Sequence, residues 1–159
     1  MKVTVIAIGR LKSGPERELL ERYGDRVARA GRQLGLSLDI REIAESNARN
    51  PQTRKDEEAG LILAALPSGA TLVALDEHGK ALDSRAFADR LAAWRDGGVR
   101  DLGVAIGGAD GLGDAVLGRA DLRLAFGAMT WPHQIVRILL AEQLYRTVTI
   151  LSGHPYHRD

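Results

Sequence analysis

Leu102-Gly103-Val104-Ala105-Ile106-Gly107-Gly108-Ala109-Asp110-Gly111-Leu112-Gly113 is an apolar run that stops on a turn with four glycines in the seven positions from Gly107 to Gly113. An aliphatic segment this short, bounded by glycines, reads as a buried strand over Leu102–Ile106. The glycines free the backbone behind it for positive φ and close approach, so main-chain N–H and C=O groups are available to grip a small ligand, and a side chain at Gly108 is expected to intrude on that ligand. A merely tight strand-to-helix turn is the plainer reading of the same residues.

Outward from this turn the same rhythm repeats. Lys2–Ile8, the alternating Leu36, Leu38 and Ile40, Thr71–Leu75 and the alternating Leu122, Leu124 and Phe126 read as four further strands. Between them, Ser13 three residues ahead of Glu16 predicts a capping box for an amphipathic helix ending near Gly35. Asn50-Pro51 opens a helix that Pro67-Ser68-Gly69 stops, Ser84 is placed to cap a helix ending at Gly97-Gly98, and a short helix is expected over Asp114–Ala120. Pro132 to Leu151 is the longest apolar helix. Five strands separated by helices predict an α/β fold with a mostly parallel sheet and helices on both faces, because parallel neighbours need crossover connections. With no linker or repeat, the chain is expected to form a single domain over 1–159. The last helix is apolar nearly all round, so one face would be bare in a monomer. Burial against a second copy in a two-fold dimer is the economical expectation, with packing on the chain's own sheet as the other option.

Composition narrows the function. The chain of 159 residues is 45% hydrophobic and 27% charged with net charge +1, the balance of a soluble globular protein without a strong basic field. Cysteine is absent, which removes thiolate nucleophiles, disulfides and Cys-based metal sites. Only 4% of residues are aromatic, against a base-stacking platform. Eighteen of the 22 cations are arginine, which suits phosphate but also tracks genomic base composition. The opening MKVTVIAIG is too short for a signal peptide and no later run approaches a membrane span, so a cytoplasmic protein with no membrane partner is expected.

The usual nucleotide motifs fail. Gly9-Arg10-Leu11-Lys12-Ser13-Gly14-Pro15-Glu16, after the first strand, has neither G-x-G-x-x-G nor a Walker A Lys-Ser/Thr. Three other loops, Leu75–Lys80, Gly107–Gly113 and Ala128–His133, follow the carboxyl ends of strands and in an open α/β sheet converge on one crevice. His154-x-x-His157 lacks cysteine and paired carboxylates, so no metal is expected. The closing Ser152-Gly153-His154-Pro155-Tyr156-His157-Arg158-Asp159 concentrates imidazole, phenol and guanidinium groups, donors for charged oxygens and groups that exchange protons near neutral pH.

Leu75-Asp76 with Gly79-Lys80, Ile106-Gly107-Gly108 with Gly111-Leu112, Pro132-His133 with Val136-Arg137, Ala141-Glu142-Gln143-Leu144-Tyr145-Arg146 and His154-Pro155-Tyr156-His157-Arg158 together make the chain resemble, end to end, the SPOUT-superfamily methyltransferases of the RlmH type. The resemblance implies a trefoil knot in the C-terminal third, S-adenosylmethionine bound there in a bent form, an obligate homodimer, and methylation of N3 of a pseudouridine in 23S ribosomal RNA within the large subunit or whole ribosome. It places cofactor contacts on Leu75, Gly108, Ala128, Met129, Thr130, Trp131, Pro132 and His133. It makes His154, Tyr156, His157 and Arg158, in one chain or across the dimer, the candidates for substrate chemistry, with Arg137 a weaker one. Glu77-His78 and Ala109-Asp110 depart from the family pattern without removing a backbone contact. A dimeric nucleotide-binding or ribosome-binding protein without chemistry is the alternative of a different class.

Overall fold

β1 (Lys2–Ile8) is an interior strand of the sheet. In a computed structural model describing residues 1–158, it pairs in parallel with β2 (Ser37–Ile43) on one side and β4 (Asp101–Ile106) on the other. β3 (Thr71–Ala81) pairs with β4 and with β5 (Leu122–Ala125), so the order is β2-β1-β4-β3-β5, parallel throughout. β1 and β4 read as nearly continuous apolar runs because helices cover both faces of the sheet. Alternate residues of β1 face opposite ways. Val3, Val5 and Ala7 join a core with α1 (Pro15–Ala30), α3 (Ser84–Asp96) and α5 (His133–Leu151), while Ile6 and Ile8 meet α2 (Pro51–Ala65) and α4 (Asp114–Arg119).

The helix starts follow local chemistry, with two corrections. Asn50 caps α2 as expected, its Oδ1 accepting from the N–H groups of Gln52 at 2.8 Å and Thr53 at 3.1 Å. Ser13 does not cap α1. Gly14 occupies that position at φ 150°, and Pro15 opens the helix with its φ already set and no N–H to satisfy. Asp83, not Ser84, caps α3 by accepting from the Ala86 N–H at 2.7 Å. Ser84 is thereby free to donate to Gln143 of α5 at 2.8 Å.

Two larger differences bear on the site. β3 does not end at Leu75. Leu75 and Lys80 both pair with Leu124, so Asp76 to Gly79 are pushed out of register as a bulge before the strand resumes. Glycine at 79 permits it, because a Cβ there would stand 2.7 Å from the Leu124 nitrogen. The second difference is α5. Much of its apolar surface lies against the chain's own α1 and α3, where Leu140 is 0% exposed, Val148 1% and Leu144 3%. The chain's own helices thus cover much of the wide apolar surface of α5, while Leu139, Ile150 and Leu151 remain partly open. From β5 at the sheet edge, the chain crosses back to set α5 beside β1. The C-terminal third, where the resemblance places a knot, makes this return.

Candidate active site

A cavity of about 870 Å³ opens at the carboxyl ends of β3, β4 and β5. All three loops singled out in the sequence contribute to its wall.

The glycine turn is built by exclusion. A Cβ at Gly107 would lie 2.5 Å from the Gly111 carbonyl carbon, so only glycine lets the two strands of the turn meet, and the Gly111 N–H closes it onto the Gly108 carbonyl at 3.1 Å. Gly111 itself sits at φ 83°, the left-handed region. The turn is anchored from outside: Arg54 Nε pairs with Asp110 at 2.7 Å while its Nη1 donates to the carbonyls of Ala48 and Arg49. The hydrogen bond from Arg54 holds the Asp110 carboxyl below the usual carboxylate range. Gly108 differs from expectation. A Cβ there would crowd Ile8 Cγ2 at 3.1 Å and the carboxylate of buried Glu58 at 3.2 Å, so the tight contact lies with the core behind the turn.

Opposite the turn, Thr130 Oγ1 donates to Glu77 on the β3 bulge at 3.2 Å, and Trp131 Nε1 donates to the Phe126 carbonyl at 3.2 Å. These bonds tie the third loop to the strand ends while leaving Met129 and Trp131 largely exposed. His133, at the start of α5, is half-buried.

Leu75, Gly108, Met129, Thr130, Trp131, Pro132 and His133 line the cavity; Ala128 is on the same loop but does not. None of His154, Tyr156, His157 and Arg158 reaches it. The tail folds against the second half of α5, where the Tyr156 hydroxyl donates to Glu142 Oε1 at 3.0 Å. The rise from His133 to Glu142 along the helix is about 13 Å. Arg137 is absent from the cavity too. It is 1% exposed, pairs with Glu42 at 3.1 Å and donates to the Ile8 carbonyl, so it anchors α5 and is out of reach of a substrate.

The "Predicted SPOUT methyltransferase" family model matches residues 1–157. A ribosomal RNA large subunit methyltransferase H from Rhizobium etli (strain CIAT 652) is 62% identical over 159 residues, covering 99% of each chain. The chain belongs to the SPOUT methyltransferases. The enzyme of the same name from Rhizobium meliloti (strain 1021) is also 62% identical, again over 99% of each chain. Among solved structures, a putative methyltransferase of Legionella pneumophila in complex with the bound cofactor SAM aligns with a TM-score of 0.46 at 11% identity, over 91% of this chain and 65% of that one.

Two cationic residues of this SPOUT methyltransferase that motif reading missed, Lys55 on α2 and Arg123 on β5, also line the cavity. Nothing in their local sequence marks them, since α2 meets the glycine turn only through the tertiary fold. Burial, then hydrogen bonding with Tyr23 and Glu142, push the Tyr156 phenol above its ordinary range, and its hydroxyl donates to Glu142. Among the described residues, no group of three or more His, Cys, Asp or Glu is gathered as a metal site, and no helix is long and apolar enough to cross a membrane.

Proposed function

We propose that this methyltransferase acts in the cytoplasm as a homodimer, transferring a methyl group from S-adenosylmethionine to N3 of a pseudouridine in 23S ribosomal RNA of the large subunit or whole ribosome. The observation that carries the reading is the cavity at the carboxyl ends of β3, β4 and β5, which joins apolar walls to exposed backbone in a chain whose relatives are named ribosomal RNA methyltransferases. Its size suits a nucleoside-sized ligand. Leu75, Ile106 and Leu124 would take the flat base, and main-chain groups of the glycine turn and of the loop through Pro132 would meet its polar edges. Asp76 and Glu77 place carboxylates where a cationic sulfonium and ammonium are favoured. The cofactor, when bound, supplies a methyl already activated by the sulfonium.

What the protein must add is proton handling at an imide N–H flanked by two carbonyls. Arg158 and His154, both exposed on the tail, suit the developing negative charge and the departing proton. Within one chain the tail lies along the far half of α5, which favours delivery by a second copy. The test is calorimetric titration with S-adenosylmethionine, followed by transfer of labelled methyl to ribosomes from a methylase-deficient strain, with light scattering to count subunits. The expected outcome is a dimer that binds the cofactor and labels N3 of a 23S pseudouridine. Binding to ribosomes without label would leave the non-catalytic alternative.

A further inference from the structure

The contacts of the tail converge on one carboxylate. Glu142, in the middle of α5, accepts from the Tyr156 hydroxyl at 3.0 Å and, on the same oxygen, from the Arg146 guanidinium; its other oxygen accepts from Gln143 at 2.8 Å. Arg146 passes the connection on. Its Nη1 stands 3.2 Å from His157 Nδ1, and its guanidinium lies over the Tyr156 ring, 4.9 Å from the centroid. The Tyr145 ring meets the same phenol ring edge-on at 4.7 Å. Arginine only donates, so His157 Nδ1 accepts and the proton of the neutral imidazole sits on Nε2. Glu142 is not among the cavity residues, and anything it does for the reaction it does through its partners.

We infer that Glu142 is the positioning residue of the tail, holding Tyr156 directly and His157 through Arg146 in the arrangement from which the tail meets its substrate. This rests on the proposed reading that the tail handles the substrate. Chain ends fray unless tied down, and a segment ordered beforehand loses no conformational entropy when the substrate arrives. Charge-assisted hydrogen bonds to a carboxylate whose side chain is only 16% exposed are the strong kind of tie.

The experiment uses Glu142→Gln, which keeps shape and one acceptor while removing charge, and Arg146→Gln, which cuts the relay one step on. For each folded variant, cofactor affinity is expected within about twofold of wild type, kcat on ribosomes lowered about tenfold or more, and amide exchange over Gly153–Arg158 accelerated about tenfold or more. Adding Tyr156→Phe to Glu142→Gln is expected to lower kcat by no more than about twofold further, because the charged carboxylate that fixes the phenol is already gone. Unchanged kcat and exchange, multiplicative losses in the double variant, or cofactor affinity falling in step with kcat would each overturn the inference. Should the wild-type protein label no ribosomes, the proposed function fails, and amide exchange alone decides whether Glu142 holds the tail.

Discussion

Arg137 of α5 pairs with Glu42 of β2 at 3.1 Å, and Arg17 of α1 holds the other oxygen of the same carboxylate at 2.8 Å. One side chain thus joins two helices to the sheet beside the Ile8 carbonyl, which Arg137 also engages. Val136 and His133, next to Arg137 and one turn before it, line the cavity, so the pairing also sets the rotation of the helix that walls the site.

Breaking this pair is expected to be costly. Glu42→Gln leaves the Arg137 guanidinium, 1% exposed, with its nearest remaining counter-charge on Glu45, and should lower unfolding free energy by about 3–5 kcal/mol. Arg137→Met should cost less, because Glu42 keeps Arg17. Urea denaturation checks the order; the reverse ranking would show that Arg137 contributes packing more than charge.

The same carboxylate predicts acid sensitivity. Burial alone would raise the Glu42 pKa, but the hydrogen bonds from Arg17 and the Leu11 N–H and the charges of Arg17 and Arg137 outweigh it and hold it below its ordinary value of 4.5. A depressed folded-state pKa contributes stability that is present above the unfolded value and lost as pH falls through the folded one. Urea midpoints should therefore drop as pH is taken below 4.5, and more steeply in wild type than in Glu42→Gln. Parallel acid limbs would remove Glu42 from the account.

The glycines of the turn should differ in kind. Gly107→Ala puts a Cβ 2.5 Å from the Gly111 carbonyl carbon and must open the turn, so S-adenosylmethionine binding is expected to vanish in calorimetry. Gly111→Ala meets no atom within 4 Å and bears only the left-handed backbone, a cost of about 1–2 kcal/mol, so it should still bind. Gly108→Val is expected to lower thermal stability, since its side chain would press on Ile8 and Glu58. Full binding by Gly107→Ala would mean that the turn is not the ligand's wall.

Removing Tyr156 to Asp159 should separate the two halves of the function. None of the described tail residues lines the cavity, so cofactor affinity is expected within about tenfold, or ~1.4 kcal/mol, of the intact chain, while methyl transfer to ribosomes is lost. Retained transfer would move proton handling to His133 or His78, both at the cavity. A collapse of affinity would show that the tail closes over the cofactor.

Local chemistry in the sequence determined the elements themselves. The apolar runs of β1 and β4, the Asn50 cap and the glycine turn after Ile106 act within a few residues, where backbone sterics and single hydrogen bonds decide the outcome, and the three strand-end loops follow from a parallel sheet. The fate of long side chains and wide apolar faces was decided by the tertiary structure. Only the fold could put α1 and α3 over α5, carry Arg137 to Ile8 across 129 residues of chain, extend β3 past its bulge, and lay the tail on Glu142 away from the cavity. An apolar surface or a guanidinium specifies that it must be covered or paired, and only the packed geometry selects the partner that does so.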